Sequence, residues 1–342
     1  MDTLHRGRQS ILFPNRPVLR AWASVAGKKE GEGPLGRLFD QVARDDKAGK
    51  PSWEQAETRF QQNVLALLLR KAGLGRSDLD LVFSGDLLNQ CVSSSFALRG
   101  TGIPTLGLYG ACSTMAEGLL LAGAAVNAGY AARAAAVSSS HFAAAERQYR
   151  FPLAYGGQRT PTAQWTVTAA GGVLLSREGE GPRLCAATIG AVADKGITDA
   201  NNMGAAMAWA AYRSIQAHFA DLSAAPEDYD LIITGDLGKL GSELVRELFR
   251  RDGVELGERY DDCGLRVFDL AKQDVHCGGS GAGCSAAVLA AELLPGLQGG
   301  RWKRLLFCGT GALLSPTTIQ QKQSIPAVCH CVAIEQAGIG GT

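Results

Sequence analysis

Apolar residues fall along this chain in two patterns. Short unbroken runs such as "LVF", "LIIT" and "LLFC" span only a few residues, while longer segments repeat apolar positions every three to four residues. The short runs predict strands covered on both faces, and the longer spacing predicts helices. Helices are expected over residues 57–72 ("ETRFQQNVLALLLRKA") and 202–220 ("NMGAAMAWAAYRSIQAHFA").

The pattern also repeats. "SDLDLVFSGDLLNQ" (77–90) recurs in register as "EDYDLIITGDLGKL" (227–240), each a polar turn, an apolar strand, then a small residue, Gly and Asp. "GACSTMAEGLLLAGAAVNAG" is answered by "GAGCSAAVLAAELLPGLQGG", each a glycine turn and an apolar helix with a short buried strand after it. Strands buried on both faces and alternating with helices imply mostly parallel sheets sheathed in helices. Helices this rich in Gly and Ala need close neighbours on several sides and belong at the centre. The expectation is an α/β protein, a five-layer α/β/α/β/α sandwich of two duplicated halves, residues 1–178 and 179–342. The join is expected in "LSREGEGPR" (175–183), read as a turn between hairpin strands.

Composition narrows the function. Across 342 residues the formal net charge is +1, which argues against a nucleic-acid partner or a polybasic membrane tail. The nine cysteines lack paired CxxC spacing, so neither zinc nor a disulfide framework is expected. The start "MDTLHRGRQSILFPNRPVLRAW" has no apolar core of a signal peptide, and the uncharged run near 118–132 is too short to span a bilayer. A soluble chain of a reducing compartment is expected.

The candidate chemistry centres on Cys112. In "LGLYGACSTMAEGL" it stands where a strand ends and a helix begins, a place for a nucleophile, a pocket-lining residue or a core thiol. The helix N-terminus there offers N–H donors at Cys112 and Ser113 and would lower a thiol pKa. His141 ends the strand "AAAVSSSH", at the sheet edge where α/β ligand crevices open. The loop after it carries Arg147, Arg150, Gln158, Arg159 and Thr160, with arginines suited to clamping a carboxylate. Asp86 and Asp236 end the two repeat strands as helix caps or oxygen donors. His218, late in its helix, reads as exposed or a C-terminal dipole partner; His5 and His330 fall in edge or terminal sequence. Trp53, Trp209 and Trp302 read as packing residues, and "GSGAG" lacks the spacing and lysine of a phosphate loop.

A duplicated α/β chain with a cysteine opening the first central helix resembles the thiolase superfamily. The segments "LYGACSTMAEGL", "AVSSSHFAAAERQYRFPLAYGGQRTPTAQWTVTAAGGVLLS", "HCGGSGAGCSA" and "FCGTGALLSPTTIQQKQSIPAVCHCVAIE" resemble more narrowly the SpoVAD family of spore-forming bacteria. That resemblance implies a thiolase fold without catalysis and binding of dipicolinic acid, with calcium as part of the ligand and no cofactor. It also implies work with other SpoVA membrane proteins at the spore inner membrane, in dipicolinate uptake by the forespore and release at germination. A homodimer through the first-half sheet is implied too. Condensing enzymes of the superfamily carry the acyl group on this cysteine and bind the thioester oxygen with two second-half residues, His/His or His/Asn. Here the matching places read Gly235-Asp236 and Gly279-Ser280, and His276 is the nearby imidazole. The expected ligand-binding set is therefore Cys112, Ser113, His141, Gln158, Arg159, Thr160, Asp236, His276 and Ser280. A Cys112-dependent acyltransferase is the alternative.

Overall fold

The computed structural model describes residues 4–149 and 157–338. Two sets of five strands share one order. In the first, Val18–Ala26, Ala169–Ser176, Arg133–Ser140, Leu81–Gly85 and Thr105–Leu108 lie side by side. In the second, Arg183–Thr188, Ala327–Glu335, Arg304–Ala312, Leu231–Thr234 and Tyr260–Asp262 repeat that sequence of neighbours and directions. The repeat strands are equivalent, each parallel to both of its neighbours. A single antiparallel pairing, Arg183 with Val18, joins the sets into one continuous sheet.

Helix Trp53–Ala72 covers the outer face of the first set, and Met203–Leu222 with Gly238–Arg251 covers that of the second. Between the sets lie Thr114–Ala128 and Ala282–Val288. This is the five-layer sandwich the repeat predicts. The central helix shows why its sequence is so small: a Cβ on Gly118 would stand 3.1 Å from Ala136 of the first set, and one on Gly123 would stand 2.7 Å from Leu184 of the second. Larger residues would push the layers apart.

Local signals set the helix ends. Ser52 accepts the Gln55 N–H at 3.3 Å and starts its helix four residues before the expected 57, while Gly73, at φ 65°, ends it. Asn202 caps Met203–Leu222 through the Ala205 N–H. The second central helix is broken: Ala282–Val288 passes through a π-turn at Leu289–Leu293 before Leu294–Gln298. Pro295 has no N–H for the regular ladder, and the π-turn takes up the mismatch.

Two expectations are corrected. Residues 177–182 do connect the two sets, yet Ala169–Ser176 and Arg183–Thr188 form no hairpin, because Val18–Ala26 lies between them. The N-terminal strand Ser10–Leu12 pairs with Arg183–Thr188, so the start of the chain covers the second set. His218 is fully buried, with Nδ1 2.7 Å from Thr188 Oγ1 and Nε2 2.6 Å from Tyr229 Oη. Burial pushes its pKa down to about 4. Its helix turns this face to the sheet, where a neutral imidazole links two hydroxyls.

Candidate functional site

Cys112 sits in a tight 3-10 turn, Ala111–Ser113, between strand Thr105–Leu108 and the central helix. Ala111 has φ 52°, a strained value for a residue with a Cβ. Hydroxyls lock the turn: Ser113 Oγ donates to the Gly110 carbonyl and Thr114 Oγ1 to that of Ala111, both at 2.6 Å. From the second set, strand Arg304–Ala312 approaches so closely that a Cβ on Gly311 would stand 3.2 Å from the Ser113 N.

Asp236 follows strand Leu231–Thr234 and is fully buried. Its Oδ2 accepts from the Gly281 N–H at 2.8 Å and Ser280 Oγ at 3.1 Å, and its Oδ1 from Thr310 Oγ1 at 2.8 Å. Its carboxylate also lies beside the Cys112 thiol. Burial raises the Asp236 pKa, and burial followed by the Asp236 charge pushes the Cys112 thiol well up. The lowering expected from the helix N-terminus is overridden, because loss of water and an adjacent carboxylate outweigh the N–H groups. The cysteine is a neutral S–H, and Asp236 opposes negative charge developing beside it.

Cys112, Ser280 and Gly281 open onto a cavity of about 320 Å³. Its other walls include Glu146 and Tyr149 on helix Phe142–Tyr149, Tyr109 ahead of the cysteine turn, and Asn89. Tyr109 and Tyr149 meet hydroxyl to hydroxyl at 2.6 Å, Tyr109 reaches Asn89 Oδ1 at 3.1 Å, and Tyr149 also donates to the Leu87 carbonyl. Thr166 Oγ1 donates to Glu146 at 3.3 Å. Among the described residues, no lysine, arginine or histidine lines it. Sequence reasoning missed Tyr109, Glu146 and Tyr149. The first is three residues before Cys112, and the other two are i,i+3 neighbours on one helix face, a spacing that brings side chains together.

The remaining candidates lie elsewhere. Ser113 is buried with its hydroxyl turned to Gly110. His141 does not line the cavity; its Nε2 donates to the Asp46 carbonyl at 2.6 Å, and burial lowers its pKa. Gln158 and Thr160 are exposed. Arg159 lies over Trp165 and pairs with Asp274 at 3.1 Å, the same carboxylate that His276 meets at 3.1 Å. Arg147 pairs with Glu54, and Arg150 lies outside the described residues. Asp86 accepts from the Leu88 N–H and from the N–H and hydroxyl of Ser94, serving as a cap. Among the described residues no group of three or more His, Cys, Asp and Glu is placed to hold a metal ion, and no helix is long and apolar enough to cross a membrane.

Comparison with solved structures shows the fold. Synthase III for 3-oxoacyl-[acyl-carrier-protein] from Aquifex aeolicus VF5 superposes with a TM-score of 0.55 at 12% identity, covering 93% of this chain and 99% of that one. Acetamide-bound OleA from Xanthomonas campestris gives 0.59 at 14%, covering 95% and 100%. In sequence, residues 7–335 match the family Stage V sporulation protein AD (SpoVAD). The Bacillus subtilis (strain 168) protein named Stage V sporulation protein AD is 44% identical over 332 residues, 97% of this chain and 98% of that one. A thiolase-like sandwich and a match running through both halves lead to one conclusion: the chain belongs to the SpoVAD family of sporulation proteins.

Proposed function

We propose that the cavity beside Cys112 binds dipicolinate as its calcium chelate, without catalysis. The observation that carries this reading is the makeup of the cavity wall: a neutral thiol beside a buried carboxylate, with Glu146 nearby and, among the described residues, no lining cation. A bare aromatic dianion would sit over the Asp236 carboxylate that lies behind the thiol, and beside Glu146. The calcium chelate is near neutral, and its hard ion takes carboxylate, hydroxyl and carbonyl oxygens. About 320 Å³ lies at the small end of ligand cavities, suited to one flat ring. Cys112, Ser280 and Gly281 form the floor of this site, with Asp236 buried behind them, and Tyr109 and Tyr149 form its aromatic side.

Family membership extends the reading. The protein hands dipicolinate to or from the SpoVA membrane proteins during uptake into the forespore and release at germination, docked at the spore inner membrane. It works as a homodimer paired through the first-half sheet. Residues 1–178 and 179–342 are its two duplicated halves.

Calorimetry tests the ligand. Calcium dipicolinate is expected to bind more tightly than dipicolinate alone. Because the pKa of Asp236 is raised and its ionisation sets the negative charge behind the cavity floor, chelate affinity is expected to climb with pH from the acid side. Absence of heat with either ligand rejects the reading. One observation favours an acyltransferase instead, namely that Cys112 lines the cavity of a fold shared with synthases. Acyl-CoA turnover that disappears in Cys112→Ala would establish that alternative.

A further inference from the structure

A second cleft opens on the outer face of the first half, away from Cys112. Its floor is Val25, at the end of strand Val18–Ala26, and Phe60 of helix Trp53–Ala72. The short strand Gln41–Val42 and the following loop form its rim. The cleft encloses about 590 Å³, and three cations line it: Arg44, Lys50 and Arg59.

The rim is held in place. Asp45 accepts the Lys47 N–H at 2.9 Å. Trp53 Nε1 donates to the Asp46 carboxylate at 2.8 Å, and His141 Nε2 to the Asp46 carbonyl at 2.6 Å. Ala48 and Gly49, at φ 48° and 69°, turn the chain back so that Lys50 joins Arg44 at the same opening. Asn63 donates to Gln41 Oε1 at 3.1 Å, leaving the Gln41 amide N–H groups and the Asn63 oxygen for other partners.

Neighbouring cations are neutralised within the fold: Lys71 pairs with Asp40 at 2.6 Å and Arg147 with Glu54. Among the described residues no carboxylate pairs with Arg44, Lys50 or Arg59. Among the described residues, Asp45 is the one acid that lines the cleft, and its Oδ1 is engaged by backbone. Converging like charges in a concave surface repel one another and focus a positive potential there, which an anion relieves. Two planar guanidinium forks and an ammonium suit the tetrahedral oxygens of a phosphate.

We propose that this cleft is a second binding site, for a phosphate-bearing anion of headgroup size, whether free in solution or displayed on a lipid. The full chain is titrated with inorganic pyrophosphate by calorimetry. It is also sedimented with vesicles of phosphatidylglycerol mixed into phosphatidylcholine, against phosphatidylcholine alone. Arg44→Ala/Arg59→Ala removes both guanidinium groups from exposed positions, so its melting curve is expected to match that of the parent. Charge-assisted hydrogen bonds of this kind set the expected loss of affinity at roughly ten- to a hundredfold. Arg213→Ala, an exposed arginine elsewhere, is expected to leave binding unchanged. Pyrophosphate binding without vesicle capture identifies a free anion, and capture by the anionic vesicles without pyrophosphate binding identifies a headgroup. Binding of neither probe by the parent chain overturns the proposal. So does equal binding by the double variant, or equal loss in Arg213→Ala.

Discussion

Asp236, at the end of a second-half strand, lies beside the thiol of Cys112, at the mouth of the first-half central helix, and its charge helps hold the thiol pKa up. The contact joins the two repeats at one point and keeps the sulfur protonated. Replacing the carboxylate in Asp236→Asn is expected to lower the thiol pKa by at least about one unit, or roughly tenfold more thiolate at a given pH. Iodoacetamide labelling of Cys112 across a pH series, read by mass spectrometry, checks this. Equal labelling in both proteins would remove Asp236 as the cause.

Size at the same position separates a lining residue from a nucleophile. Cys112→Ser keeps the volume and a hydrogen-bond donor, and most dipicolinate affinity is expected to remain. Cys112→Gln fills the cavity floor and is expected to abolish measurable binding. Calorimetry on the two variants reads the contrast. Unchanged affinity in Cys112→Gln places the ligand elsewhere.

His218 makes acid stability testable. Its folded pKa of about 4 lies below the ordinary histidine value of 6.5, so the unfolded chain takes up the proton first. Its contribution is complete above pH 6.5 and is lost as pH falls towards 4, on the order of 3 kcal/mol in all. Glu30 and Asp262, buried with pKa values raised to about 7, act in the opposite direction over much of this range. Comparison of the parent with His218→Gln isolates the histidine: the variant is less stable at neutral pH, and the gap narrows towards pH 4. Urea melts at several pH values measure it.

Glycine 281 is demanded by the site. Its φ is 105°, and an added Cβ would stand 2.7 Å from Ser140 Oγ. Gly281→Ala is expected to cost roughly 1–3 kcal/mol from backbone strain alone, and to shift the N–H that Asp236 accepts. Gly49→Ala, also at positive φ but with open space around it, is the milder control at about 1 kcal/mol. Thermal melts of the pair test whether crowding at Ser140 adds to the strain.

Strand Thr105–Leu108 is the outer edge of the first set, with Leu106 about half exposed and Phe96 exposed nearby. An unpaired edge with apolar residues invites a second strand. In the proposed homodimer Leu106→Lys is expected to shift the sedimentation coefficient to that of a monomer. A monomeric parent chain would dismiss the pairing.

Much of the architecture was legible along the chain. Buried strands read as unbroken apolar runs, and the Gly-Asp endings 150 residues apart marked equivalent places, because a duplicated fold repeats its local constraints. Cys112, Asp236 and Ser280 were found in the same way, each at the end of a repeated element. Position in the sheet was another matter. Nothing local tells that Val18–Ala26 inserts between Ala169–Ser176 and Arg183–Thr188, since strand order depends on which edges meet after collapse. The electrostatics of Cys112 were equally beyond reach, for a helix N-terminus is local but burial and a carboxylate from the other half are not. His141, Arg159 and His276 carried suitable chemistry, yet the fold turned them to Asp46 and Asp274. Sequence by itself determined the elements, their repetition and the residues at their ends. Tertiary packing alone decided which of those ends face a common cavity, because a side chain's direction and its loss of water are set by neighbours distant along the chain.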